Sequence, residues 1–150
     1  MRKDAGNFPE FGKLIAVLTD SMPTQTTSVP SDPTAVVQRQ LAAYNARDID
    51  AFLATYAADA RLFEHPATLL AAGTAQLRER YSARFREPNL HATVAGRLVM
   101  GNIVIDHEKI ARTFPEGPGT SEAVVVYEVQ AGRIAKAWLI SGAKTLDAKP

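Results

Sequence analysis

Cysteine is absent from the 150-residue chain, which excludes disulfides, thiolate nucleophiles and every cysteine-ligated zinc or iron–sulfur site. Long apolar runs are missing too, since nothing approaches the roughly 18 residues of a membrane span. The nearest run, Leu14–Leu18, falls short of a signal-peptide core of about 7–15 residues, and Asp4 and Glu10 stand where such a peptide is neutral or basic. A cytoplasmic location is therefore expected. Charge of one sign is not in excess: 17 Lys and Arg face 16 Asp and Glu, a net +1 that leaves no basic footprint. Neither nucleic acid nor a membrane is expected as a partner. The G-x-S-x-G elbow, the P-loop, the dinucleotide fingerprint and the H-x-H and H-E-x-x-H spacings are all missing. No metal and no other cofactor is expected.

What is present is the composition of one globular domain, 46% hydrophobic and 22% charged. Residues 1–33 read as an N-terminal tail or linker, native or not, because 19–33 are rich in Ser, Thr and Pro after a short apolar piece containing Phe8, Phe11 and Leu14. The domain spans 34–142, and 143–150 read as a C-terminal tail. Asp32-Pro33 is a helix start, and Val36, Val37, Leu41 and Tyr44 recur at helical spacing behind it. Asp48 caps a second helix with a stripe of Ile49, Phe52, Leu53 and Tyr56. Arg61–His65 reads as a short strand, and Gly73-Thr74 opens a third helix through Leu77, Tyr81 and Phe85 that stops before Pro88.

From Leu90 the period changes to two. Leu90, Ala92, Val94, Leu98 and Met100 alternate with polar residues, and Gly101-Asn102 turns the chain into 103–114. A Pro-Glu-Gly-Pro-Gly loop (115–119) precedes strands at 122–130 and 133–140. Helices followed by an antiparallel meander predict an α+β fold. Val125, Tyr127 and Val129 alternate with Val124 and Val126, while Ile134, Trp138 and Ile140 oppose Ala135, Ala137 and Leu139. Both sheet faces are then apolar, so the outer one needs a cover, either a second subunit in a homodimer or the apolar tail.

The run 34–50 (TAVVQRQLAAYNARDID), continued by FLATYAADARLFEH and GTAQLRERY, resembles the ketosteroid isomerases and the SnoaL-like branch of the nuclear transport factor 2-like superfamily. The resemblance covers 34–140. It implies a cone-shaped fold, three N-terminal helices packed on a curved, mostly antiparallel sheet that encloses a small-molecule pocket. It also implies chemistry at matched positions. The family's catalytic carboxylate falls on Glu64, its first-helix tyrosine on Gln40 and its meander aspartic acid on Val125, while two supporting tyrosines are retained as Tyr56 and Tyr81. Both oxyanion donors are replaced, which speaks against true steroid isomerisation, since one such donor alone is worth about 10²–10³ in rate.

Each position also has a plain reading. Glu64, two residues after Leu62, faces inward as a desolvated general base if Leu62 does, or is a solvated rim carboxylate. Gln40 is a pocket donor or a member of a structural hydrogen-bond network. Tyr56 and Tyr81 are donors or core tyrosines, and His65 is a proton shuttle if the chain turns at Pro66. Asp106, Glu108 and Arg112 share one strand face and His107 and Lys109 the other, so either set lines the pocket. The family register points the first set inward, beside Val125 and Tyr127, with Arg112 free to pair with Glu108 or a substrate carboxylate. The expected function is a cofactor-free isomerase, dehydratase, hydratase or cyclase acting on a small polar carbonyl compound through Glu64. The alternative is a non-catalytic dimeric module that binds a small molecule or a protein.

Overall fold

In the computed structural model, which describes residues 32–149, the chain enters helix α1 (Pro33–Ala46) at the expected Asp32-Pro33 pair. Asp32 Oδ1 accepts from the Thr34 N–H at 3.0 Å, and Pro33 occupies a first-turn position where no helical bond is lost. The N-terminal piece around Phe8–Leu18 lies outside the described residues. Arg47, left-handed at φ 55°, ends α1. Asp48 then caps α2 (Ile49–Ala54), accepting from the Ala51 N–H at 3.1 Å.

Helix α2 is shorter than its apolar stripe suggests. Thr55 donates its hydroxyl to the Phe52 carbonyl, and its own carbonyl accepts the Ile134 N–H at 2.8 Å, so the backbone turns into the sheet. Tyr56 therefore opens strand β1 (Tyr56–Glu64) instead of closing the helix, although its ring still meets Phe52 at 5.1 Å. A strand unexpected from sequence, β2 (Thr68–Ala72), pairs back on β1. Gly73, at φ 81°, makes the sharp entry to α3 (Gly73–Arg84).

Four long strands follow: β3 (His91–Met100), β4 (Ile103–Phe114), β5 (Gly117–Gln130) and β6 (Arg133–Leu146). The sheet order is β2-β1-β6-β5-β4-β3, antiparallel throughout except for the parallel β1–β6 pair. The Pro-Glu-Gly-Pro-Gly segment is less of a loop than expected: only 115–116 turn, and Gly117 already pairs with Phe114. A Cβ on Gly119 would lie 2.4 Å from the Thr145 carbonyl oxygen, so glycine is what lets β5 close against β6 there. With that partner available, β6 runs to Leu146, into the segment read as a C-terminal tail.

Register shifts at 94/96, 121/123 and 128/129 curve the sheet, and the helices pack on one face of it. Among the described residues Val36, Val37, Phe52, Leu77, Val104 and Ile134 belong to one buried core. These shifts also correct the alternation expected from sequence. The bulge near Ala95 brings Ala92 and Arg97 to the same face and turns Leu98 outward, 70% exposed. The bulge at Ala135 likewise buries Ile134 while Trp138 and Ile140 face away from the helices. On the outer face one residue from each strand forms a row across all six: Leu69, Phe63, Trp138, Val126, Ile105 and Leu98. The Phe63 and Trp138 rings stack in it at 5.8 Å. Among the described residues no helix is long and apolar enough to cross a membrane.

Candidate functional site

Strand β4 alternates cleanly, with Val104, Asp106, Glu108 and Ile110 buried on the helix side and Lys109 exposed on the other. His107 lies with Lys109 on the outer face, where Nε2 contacts Glu122 Oε1. Between the inner face of β4–β6 and helices α1 and α3 lies a cavity of about 290 Å³. Gln40 and Tyr44 line it from α1, Tyr81 from α3, Glu108 from β4, and Val125 and Tyr127 from β5.

Among the described residues Glu108 is the one buried carboxylate on that wall, 6% exposed, and the Tyr127 hydroxyl donates to its Oε1 at 3.5 Å. Burial first, and then the negative charge of Asp106, push its pKa up to about 7; the Tyr127 hydrogen bond and Arg97 act the other way. Asp106 stands behind the cavity instead of on its wall, which corrects its expected place in the pocket. Fully buried, it is held by both arms of Arg97, Nε to Oδ1 at 2.6 Å and Nη2 to Oδ2 at 2.8 Å. Arg97 reaches it because the β3 bulge turns that residue inward.

The tyrosines remain protonated donors at neutral pH. Burial pushes Tyr81 up to about 12 and Tyr127 well above the usual phenol value of 10. Burial does the same to Tyr56, but Tyr56 is absent from the cavity wall, and its hydroxyl accepts from Gln40 Nε2 at 3.3 Å. It orients the Gln40 amide instead of facing a ligand, because its ring follows the start of β1 into the aromatic core.

The carboxylate singled out by the family position is placed differently from expectation. Glu64 shares the inward face of Leu62 and lines the cavity, but as the last residue of β1 it lies beyond the helix cover and is exposed. The desolvation expected for it falls on Glu108. His65 is exposed and off the wall, its backbone N–H tied to the Leu139 carbonyl at 2.8 Å, so the chain does not turn it inward. Arg112 lines the cavity, yet it pairs with Glu87 (Nε to Oε2, 3.0 Å) and not with Glu108. Arg80 and Arg84 also line it and were not foreseen; their spacing three residues after Leu77 and Tyr81 was the available signal. Among the described residues no three His, Asp or Glu side chains are grouped to hold a metal ion.

Residues 37–137 match the profile of a family described as SnoaL-like domain. No curated protein matches the chain in sequence. An uncharacterized cystatin fold protein from Novosphingobium aromaticivorans is 23% identical, with a TM-score of 0.67 over 73% of this chain and 97% of that one. A SnoaL-like protein of unknown function from Burkholderia thailandensis is 21% identical, with a TM-score of 0.62 over 74% and 95%. A protein with a ketosteroid isomerase-like fold from Catenulispora acidiphila, solved with trimethylamine, is 16% identical, with a TM-score of 0.61 over 69% and 82%. At these identities the likeness is one of fold.

Proposed function

The chain belongs to the SnoaL-like domain family, and from that premise we propose that it is a cofactor-free isomerase, dehydratase, hydratase or cyclase acting on a small carbonyl compound. Buried Glu108 on the cavity wall, with a pKa of about 7, carries the reading. A carboxylate poised near neutrality takes a proton from the carbon beside a carbonyl and returns it elsewhere. The electron pair left by that C–H bond forms the enolate C=C bond as the carbonyl π pair moves onto the oxygen. Tyr81 and the Gln40 amide line the same cavity as donors for that oxygen, while Tyr127 orients Glu108. This replaces the family's donor pair, whose positions hold Gln40 and Val125.

Glu64 is the competing base, and one experiment separates the two. Hydrogen–deuterium exchange at the α-carbon of small ketones is followed with wild type, Glu108→Gln and Glu64→Gln. Loss of exchange in Glu108→Gln alone supports the assignment. Loss in Glu64→Gln alone gives the role to the rim carboxylate. The missing family donors favour a second reading, a small-molecule binding module, which predicts no exchange with any ketone and only altered affinity in the variants.

The six-strand outer row from Leu69 to Leu98 supports a homodimer formed through that face. Sedimentation of wild type against Trp138→Glu tests it, with a shift to monomer expected and a monomeric wild type contradicting it.

A further inference from the structure

Resting on the reading of the cavity as a small-molecule site, we propose that its ligand carries a carboxylate, received by Arg80 and Arg84 of α3. Leu77, Arg80, Tyr81 and Arg84 recur at helical spacing; Leu77 and Tyr81 are buried, and the two arginines are half-buried and line the cavity. Their charge is poorly balanced. Arg84 Nε lies 3.6 Å from Glu87 Oε1, but Glu87 already accepts from Arg112 Nε at 3.0 Å and from the Thr113 N–H at 3.2 Å. Arg80 has no carboxylate within 4 Å among the described residues. Of the three guanidinium groups on this part of the wall, Arg84 and Arg112 therefore share Glu87, and Arg80 has no carboxylate partner among the described residues.

Half-buried cations keep only part of their hydration, and an anion offering two oxygens is the partner their planar forks fit. Their field reaches the cavity: Arg80 and Arg84 both oppose the upward push of burial on the Tyr81 hydroxyl, and Arg84 does so at Tyr44. Two other charges on the wall are already engaged, Lys144 with Glu116 and Glu122 with His107. Glu64 has no ionic partner among the described residues, and its negative charge at the rim opposes an anion. A keto acid fits both ends, its carboxylate on α3 and the carbon beside its ketone towards Glu108.

The test uses 4-oxo-4-phenylbutanoate and its methyl ester as probes, with affinities for the full chain read by NMR titration. The acid is expected to bind at least about tenfold more tightly than the ester, the scale of a charge-assisted hydrogen-bond pair. Arg80→Gln or Arg84→Gln should remove most of that preference, whereas Glu108→Gln and Glu64→Gln, each removing a carboxylate from the wall, should both preserve it and strengthen acid binding. Equal affinities, tighter ester binding, no saturable binding of the acid, or a preference that survives both arginine variants overturns the proposal. α-Proton exchange of the same ketones reads the Glu108 assignment separately. Preference without exchange keeps the carboxylate site and removes the catalysis; exchange without preference does the reverse.

Discussion

Glu64 and Glu108 line one cavity from two strands, and the period of two puts both on the helix side of the sheet. Glu108 is mid-strand, covered by helices and met by Tyr127, with the Asp106–Arg97 pair beside it. Glu64 ends its strand, exposed, and its carboxylate has no ionic partner among the described residues. Strand parity thus decides which way a carboxylate points, and the cover above it decides how far it is removed from water. For proton transfer near neutrality the cover matters more.

The largest effect should come from removing the charge at the covered position. Glu108→Gln is expected to slow α-proton exchange by about 10²–10⁴-fold, the usual worth of a positioned acid or base. In wild type the exchange rate should rise with pH through about 7, as the carboxylate form of Glu108 appears. Next is the pair that supports it. Arg97→Met leaves Asp106 buried and unpaired, and urea unfolding near pH 7 should show a loss of about 3–5 kcal/mol. Arg78→Met, which breaks the exposed pair with Asp50, should cost under about 1 kcal/mol in the same assay.

An effect comparable to that of Arg97→Met should appear in stability against pH. The folded protein holds a proton on Glu108 up to about 7, the unfolded chain only to the ordinary 4.5. The folded state binds more protons between those values, so this contribution is complete below 4.5 and is lost as pH rises through 7. The loss is on the order of 3 kcal/mol, and Glu108→Gln should flatten it in unfolding curves taken from pH 4 to 8. The smallest effect belongs to the rim: Glu64→Gln should change stability by under about 0.5 kcal/mol, read in the same curves.

Much of this architecture is legible in the sequence where the signal is local. Asp32, Asp48 and Gly73 mark their helix starts, and the unbroken alternation of 103–114 gives β4 its two faces. Legibility fails where one extra residue enters a strand. The bulges near Ala95 and Ala135 reverse parity, turning Leu98 out and Ile134 in, and neither residue marks a bulge by type. It fails again where a partner supplies the structure, as with β2 on β1 and the 141–146 extension of β6 on β5. In the site, the family position pointed to Glu64, whereas the burial of Glu108 arises from helix cover and a tyrosine nineteen residues away. No local pattern encodes that.

Carboxyl-carbon NMR titration of wild type, with Glu108→Gln and Glu64→Gln to assign the two signals, tests the contrast most directly. A midpoint near 7 for Glu108 is the predicted result. A midpoint near the ordinary value of 4.5 for Glu108 would contradict it, removing the poised group on which the proposed chemistry depends.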